Sequence, residues 1–200
     1  MHYYIALSRN EIFHFGNYRQ ASKFKTQFAC EVKDYNVADY FERKEGRKID
    51  PYTQFALIAS KEAVLDSFLD FQNEDCDRIG VYYGSGIGGL QTIADEEDKA
   101  RSRGYDRLSP FFIPSAIINL AAGNIAIEYG ITGVATSVVT ACASATNNLG
   151  EAFRAIRDGY LEVAISGGTE ASLIPLGLGG FNVMQALNKS NLDFLVKSYY

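Results

Sequence analysis

A layered α/β fold is expected from three features of the sequence. Short runs rich in Val, Ile, Thr and Tyr alternate with longer runs of helical period through the middle of the chain. Glycines punctuate the ends of those runs. The composition, 47% hydrophobic and 22% charged over 200 residues, suits a soluble globular chain long enough to bury a core.

The elements follow in order. The first twenty or so residues are aromatic and irregular, with Ile12, Phe13 and Phe15 as a possible short strand. Residues 44–50 form a charged connection. Asp50-Pro51 then opens a helix, Asp50 as cap and Pro51 in the first turn. Phe55, Ile58, Ala59, Leu65, Phe68 and Leu69 supply its apolar face. Residues 79–83 read as a strand, followed by the glycine-rich run 84–89. Residues 91–103 are polar and helical. Pro114-Ser115 opens a further helix, with Ile117, Ile118, Ala121, Ile125 and Tyr129 on its buried side and Gly130 closing it. Residues 135–141 read as a strand. A helix face follows at Ala145, Leu149, Ala152, Phe153 and Ile156, ended by Gly159. Residues 161–166 form the next strand, stopped by Gly167-Gly168.

Several function classes are disfavoured. A net charge of −5 gives no general basic field for nucleic acid. No apolar run approaches the roughly 18 residues needed to span a bilayer, so no membrane role is expected. The opening Met1-His2-Tyr3-Tyr4 has neither the basic start nor the apolar stretch of a secretion signal. Cys30, Cys76 and Cys142 are odd in number and widely spaced, fitting neither a disulfide framework nor a metal motif. The cysteines thus give no metal site, and the reducing cytoplasm is the simplest compartment.

Four features could carry chemistry. Cys142 sits where an apolar strand hands over to a helix, a corner that holds a side chain out at the sheet's end. A helix start presents free N–H groups and a positive dipole end, which favour thiolate over thiol and can hold an oxyanion. A buried cysteine acting as a small hydrophobe is the plainer alternative. Gly84, Gly86 and Gly89 follow a strand with dinucleotide-loop spacing. That pattern also wants a strand ending in an acidic residue about 20 positions on, and residues 100–108 have no strand character; a tight turn with close backbone packing is the alternative. His2 and His14 both lie in the irregular start, so neither offers Cys142 an evident acid–base partner. Lys44, Arg47 and Lys48 are either a solvated face or a docking patch for an acidic partner or a phosphate.

Set together, these segments resemble a known family. Thr140-Ala141-Cys142-Ala143-Ser144-Ala145 looks like the active-site segment of the β-ketoacyl-acyl carrier protein synthases, closest to the elongating type II enzymes. Ser166-Gly167-Gly168-Thr169-Glu170 and Pro175-Leu176-Gly177-Leu178-Gly179-Gly180-Phe181 resemble segments that follow, as does Ala186-Leu187. Residues 28–34, 84–90 and 109–115 match upstream. The likeness runs from about residue 21 to about residue 191, in order and at family-like spacing.

The resemblance implies an incomplete thiolase-like fold, the N-terminal half only, with a layered sheet and helices. Cys142 would take an acyl chain from acyl carrier protein as a thioester. Decarboxylation of malonyl-carrier protein would give a carbanion that attacks it, yielding a 3-oxoacyl chain two carbons longer. Ile87 matches a position gating the acyl pocket. Phe112 matches one lining the pocket from a neighbouring subunit, so a homodimer is implied. Lys44, Arg47 and Lys48 fall where such enzymes dock the carrier protein.

Residues 1–20 and 192–200 do not match. The family's opening strand lies in the middle of its sheet, so its loss is expected to expose backbone groups on the neighbours. The family's catalytic histidines, lysine and glycine-rich gate belong to its second half. A truncated chain, unable to complete condensation alone, is therefore expected. A dinucleotide-binding domain built on residues 84–89 and a non-catalytic remnant are the competing readings.

Overall fold

The protein is described here by a computed structural model, covering residues 24–26, 29 and 32–187. The possible strand at Ile12–Phe15, both histidines, Cys30 and the segment 192–200 lie outside the described residues. The chain divides into two compact units, residues 36–171 and residues 1–35 with 172–200.

The larger unit holds the elements α1 (Arg43–Gly46), α2 (Pro51–Ser67), β1 (Ile79–Gly84), α3 (Leu90–Arg103), α4 (Phe112–Ala116), α5 (Leu120–Tyr129), β2 (Ala135–Thr136), α6 (Ser144–Arg157) and β3 (Val163–Gly168). The strands make a parallel sheet in the order β2-β1-β3. β1 pairs with β3 from Ile79 opposite Val163 to Gly84 opposite Gly168, and with β2 at Val81 opposite Ala135. Parallel neighbours need long crossovers, and the helices supply them.

The pleat sorts β1 between two layers. Ile79, Val81 and Tyr83 join Tyr52 and Ala56 of α2, Ala121, Ala122 and Ile125 of α5, and Ile165 of β3 in one core. Burying aliphatic side chains of this size stabilises by roughly 1.5–3 kcal/mol each. The opposite face carries α6, which packs on β1 and β3. Here glycine sets the approach. A Cβ at Gly84 would lie 2.3 Å from Asn148 Nδ2, and one at Gly168 would lie 2.5 Å from Ala145 Cβ. The C-terminal ends of both strands are therefore bare where the helix after Cys142 meets the sheet.

Several expected elements are confirmed. Asp50 caps α2, accepting the Tyr52 amide at 3.1 Å, with Pro51 in the first turn. Gly130 ends α5 at φ +64°. The differences have local causes. The charged connection contains the short helix α1. The helix expected from Pro114 is two helices, because Ile117 turns extended after α4. Gly167 and Gly168 do not stop β3 but belong to it, the former against the Tyr83 ring. The middle of the sheet is filled by β1 itself, paired on both sides.

Two helix faces also differ. α2 buries Tyr52, Thr53, Gln54, Ala56 and Ser60, whereas Phe68 stands 92% exposed in the left-handed C-cap. α6 buries Ser144, Asn148, Ala152 and Ala155, while Leu149, Phe153 and Ile156 are exposed. On α6 the sheet-side stripe is built from small and polar residues, since the backbones approach too closely for large ones.

In the smaller unit, α7 (Pro175–Val183) begins with Pro175 in its first turn. Asn182 accepts the Thr26 amide at 3.1 Å and donates to the Leu178 carbonyl at 3.0 Å. Among the described residues no helix is long and apolar enough to cross a membrane.

Candidate active site

The turn around Cys142 is held by side chains rather than by the sheet. The expected strand over 135–141 pairs only at Ala135–Thr136. Beyond it, the Ser137 hydroxyl donates to the Tyr83 carbonyl. Asn148, fully buried, accepts the Val138 amide at 3.0 Å and donates to the Val138 carbonyl at 2.8 Å. One side-chain amide thereby satisfies both backbone groups as a neighbouring strand would. Its NH2 also reaches the Ser144 carbonyl at 2.7 Å.

Ser144 braces the next step. Its hydroxyl accepts the Thr140 amide at 2.9 Å and lies 2.7 Å from the Ala141 carbonyl oxygen and 3.2 Å from that of Ser85. Ala141 takes φ +52°, an uncommon conformation for a residue with a Cβ, of a kind that concentrates at functional sites. Residues 141–143 form a 3-10 turn that runs straight into α6. Cys142 sits in that turn, exposed and with a free thiol. Of the strand-to-helix corner read from the sequence only the helix side holds: Cys142 lies two residues ahead of α6, while the strand stops at Thr136 and an irregular stretch leads to the turn. The amides of Ala143 and Ser144 donate back to the Thr140 and Ala141 carbonyls. The amide of Cys142 itself is thus the candidate oxyanion donor at this corner.

The glycine-rich run lies beside the turn. A Cβ on Gly86 would point to within 3.6 Å of the Ala141 carbonyl. The amides of Gly86 and Ile87 donate to Glu170 Oε2 at 3.1 and 3.0 Å, and the Ser85 hydroxyl lies 3.3 Å from the same oxygen. The loop's N–H groups already hold the chain's own carboxylate. A dinucleotide phosphate would have to displace it, which argues against the nucleotide reading. Ile87 is 37% exposed.

The other expected residues cluster elsewhere. Lys44, Arg47 and Lys48 are exposed. Arg47 and the half-buried Phe112 line one cavity of about 140 Å³ with Ile49, Thr92, Glu96 and Ser115; Cys142 and Ile87 are not part of it. Lys48 Nζ sits 5.2 Å over the Phe111 ring, and its carbonyl accepts the Ser115 hydroxyl at 2.5 Å. Beside the cavity, Asp50 accepts both the amide and the hydroxyl of Thr92, at 2.9 and 2.8 Å. Burial raises its pKa, the bonds from Thr92 and Tyr52 oppose the shift, and Asp95 adds to it. The Ser109 amide and Lys99 pull Glu96 down. Among the described residues no group of three or more His, Cys, Asp or Glu is placed to hold a metal ion.

Sequence reasoning gave no role to Ser144, Asn148 or Glu170. The polar stripe Ser144–Asn148 on an otherwise small-residue helix face is a signal for the first two. Glu170 lies 83 residues from its partner Ile87, a separation that local pattern does not reveal.

Residues 8–194 match the β-ketoacyl synthase N-terminal domain, a longer stretch than the likeness read from about residue 21 to about residue 191. The chain is 39% identical over 168 residues to 3-oxoacyl-[acyl-carrier-protein] synthase 2 of Staphylococcus aureus (strain N315), covering 84% of this chain and 41% of that protein. It is 42% identical over 171 residues to the protein of that name from Coxiella burnetii (strain RSA 493 / Nine Mile phase I), covering 86% of this chain and 41% of the relative. The chain therefore spans about two fifths of the length of these relatives. Among solved structures, a type II PKS ketosynthase bound to the hexaketide, in complex with its acyl-carrier protein, superposes with TM-score 0.73 at 25% identity, over 78% of this chain and 45% of that one. A β-ketoacyl synthase from Burkholderia phymatum STM815 shares the fold, with TM-score 0.71 at 23% identity over 84% of this chain and 41% of that one. With the domain match running through almost its whole length, this chain belongs to the β-ketoacyl synthase family.

Proposed function

We propose that this chain carries the acyl-accepting half of a 3-oxoacyl-acyl carrier protein synthase, with Cys142 as nucleophile. The observation that carries the reading is an exposed free thiol in a side-chain-braced turn at the head of α6. The Cys142 thiolate attacks the carbonyl of an acyl thioester. The tetrahedral oxyanion collapses, the donor's thiolate leaves, and the acyl group stays on Cys142. In the whole enzyme, malonyl-carrier protein loses carbon dioxide and its carbanion attacks that thioester. The new carbon–carbon bond gives a 3-oxoacyl chain and frees the Cys142 thiolate. No residue described here is assigned to the decarboxylation.

Acyl carrier protein is the proposed donor, supported by the acyl-carrier protein that the similar type II PKS ketosynthase binds and by Lys44, Arg47 and Lys48 as an exposed basic group. Ile87 is the proposed gate to the acyl chain. Phe112 is proposed to line a neighbouring subunit's pocket in a homodimer, and the cytoplasm is the proposed compartment.

Incubation with dodecanoyl-carrier protein and intact-mass measurement tests the first step. An adduct of one dodecanoyl group on the chain, absent from Cys142→Ala, is the expected result. A chain that stays unmodified at equal donor exposure would overturn it.

A further inference from the structure

We infer that Glu170 is a positioning residue for the acyl gate, clamping the turn that carries Ile87 against the Cys142 corner; this rests on the proposed acyl loading of Cys142. The 85–89 turn is fixed at its far end by packing and by backbone. A Cβ on Gly89 would lie 2.4 Å from the Ser115 carbonyl oxygen, and the Gly89 amide donates to the Ala116 carbonyl at 3.2 Å. At its near end, the Ser85 carbonyl oxygen lies 3.2 Å from the Ser144 hydroxyl, and the Gly88 amide donates to the Ser85 hydroxyl at 3.0 Å.

Between these anchors stand Gly86 and Ile87. The acceptor found for both amides is Glu170 Oε2. A carboxylate on two successive amides makes charge-assisted bonds, stronger than neutral ones. Gly86 in turn faces the Ala141 carbonyl. Glu170 enters from just beyond the end of β3, whose other neighbours are β1 and α6. The end of β3, the gate-bearing turn and the turn before the thiol therefore meet here. Ile87 can admit or refuse an acyl chain only if its backbone is held, and Glu170 is what holds it. The step is geometric, and no bond is made or broken at Glu170.

The test compares the full chain with Glu170→Ala and Glu170→Gln. Hydrogen exchange reads the Gly86 and Ile87 amides, and intact mass reads loading of Cys142 from butanoyl- and dodecanoyl-coenzyme A. In Glu170→Ala, exchange at both amides should rise about tenfold, and the dodecanoyl-to-butanoyl loading ratio should shift about threefold or more. Glu170→Gln keeps an acceptor oxygen and should restore most of both. Unchanged exchange overturns the clamp. Raised exchange with an unchanged loading ratio overturns the gate role. Wild-type chain that loads neither donor overturns the acyl reading and the gate role with it, while the exchange arm still decides the clamp. A Glu170→Ala chain with a lowered melting point and equal loss of both donors, unrescued by Gln, would mark a merely structural residue.

Discussion

Asn148 and Val138 exchange two hydrogen bonds, side-chain amide to backbone, at 3.0 and 2.8 Å. This pair takes over where β2 ends and carries the chain to Cys142. Asn148→Ala removes the partner of a backbone N–H and a backbone C=O together, and should destabilise by about 3 kcal/mol. Asn148→Asp keeps an acceptor for the amide but has no donor for the carbonyl, so it should rescue little. Urea unfolding reads both. The alkylation rate of Cys142 by iodoacetamide should also change in Asn148→Ala; an unaltered rate would show that the turn does not depend on this brace.

Two glycines near α6 should respond in opposite directions. A Cβ at Gly168 meets Ala145 Cβ at 2.5 Å and Ala145 Cα at 3.0 Å, so Gly168→Ala forces the helix away and should cost about 2 kcal/mol. Gly150 lies within α6 with no heavy atom near its Cβ position. There Gly150→Ala should stabilise by about 0.5–1 kcal/mol through helix propensity. Thermal melts of the two variants beside wild type check both signs.

Asp50 and Glu96 should give opposite pH dependence. Burial holds the folded pKa of Asp50 above its ordinary value of 3.8. Its contribution is present below that value and is lost as pH rises through the folded pKa. Asp50→Asn does not titrate, so its stability relative to wild type should improve from about pH 3 to about pH 7. Glu96 is held below its ordinary 4.5 by the Ser109 amide and Lys99. Its contribution is present above 4.5 and is lost as pH falls through the folded pKa. Glu96→Gln should therefore be weakest against wild type near neutral pH, with the gap closing in acid. Denaturant midpoints across pH measure both.

Charge reversal at Arg47 or Lys44 should slow acyl loading from the acidic carrier protein by about tenfold at low salt, the steered part of the encounter. Loading from acyl-coenzyme A should fall much less, since that donor lacks the protein surface. Equal losses with the two donors would remove the docking role.

The frame of this fold was legible because it is written in local pattern. Asp50-Pro51, the run 79–83 and Gly130 each mark a boundary through chemistry within a few residues. The helix faces were not legible in this way, because apolar size does not decide burial on them. On α6 the sheet-side residues are Ser144, Asn148, Ala152 and Ala155, small or polar, because Gly84 and Gly168 bring the strands so close. Phe153, at 64% exposure, points away. The turn at Cys142 was readable from an apolar run ending at a cysteine. The hold of Glu170 on the 84–89 run was not, because it comes from beyond the neighbouring strand, 83 residues along the chain from Ile87. The strand before Cys142 also proved shorter than its Val and Thr content suggests, with Asn148 substituting for a sheet neighbour.

The separation of these contacts along the chain has a consequence for the order of folding. Val138 lies 10 residues from Asn148, and Thr140 lies 4 from Ser144, whereas the Ser166–Tyr82 contact across β3 and β1 spans 84. Closing the shorter loop of 10 rather than 84 saves about 2 kcal/mol of chain entropy. The reactive turn is thus expected to gain protection before the sheet it sits on is complete. Pulse-labelled exchange during refolding would show Val138 protected ahead of β3, and the reverse order would contradict this.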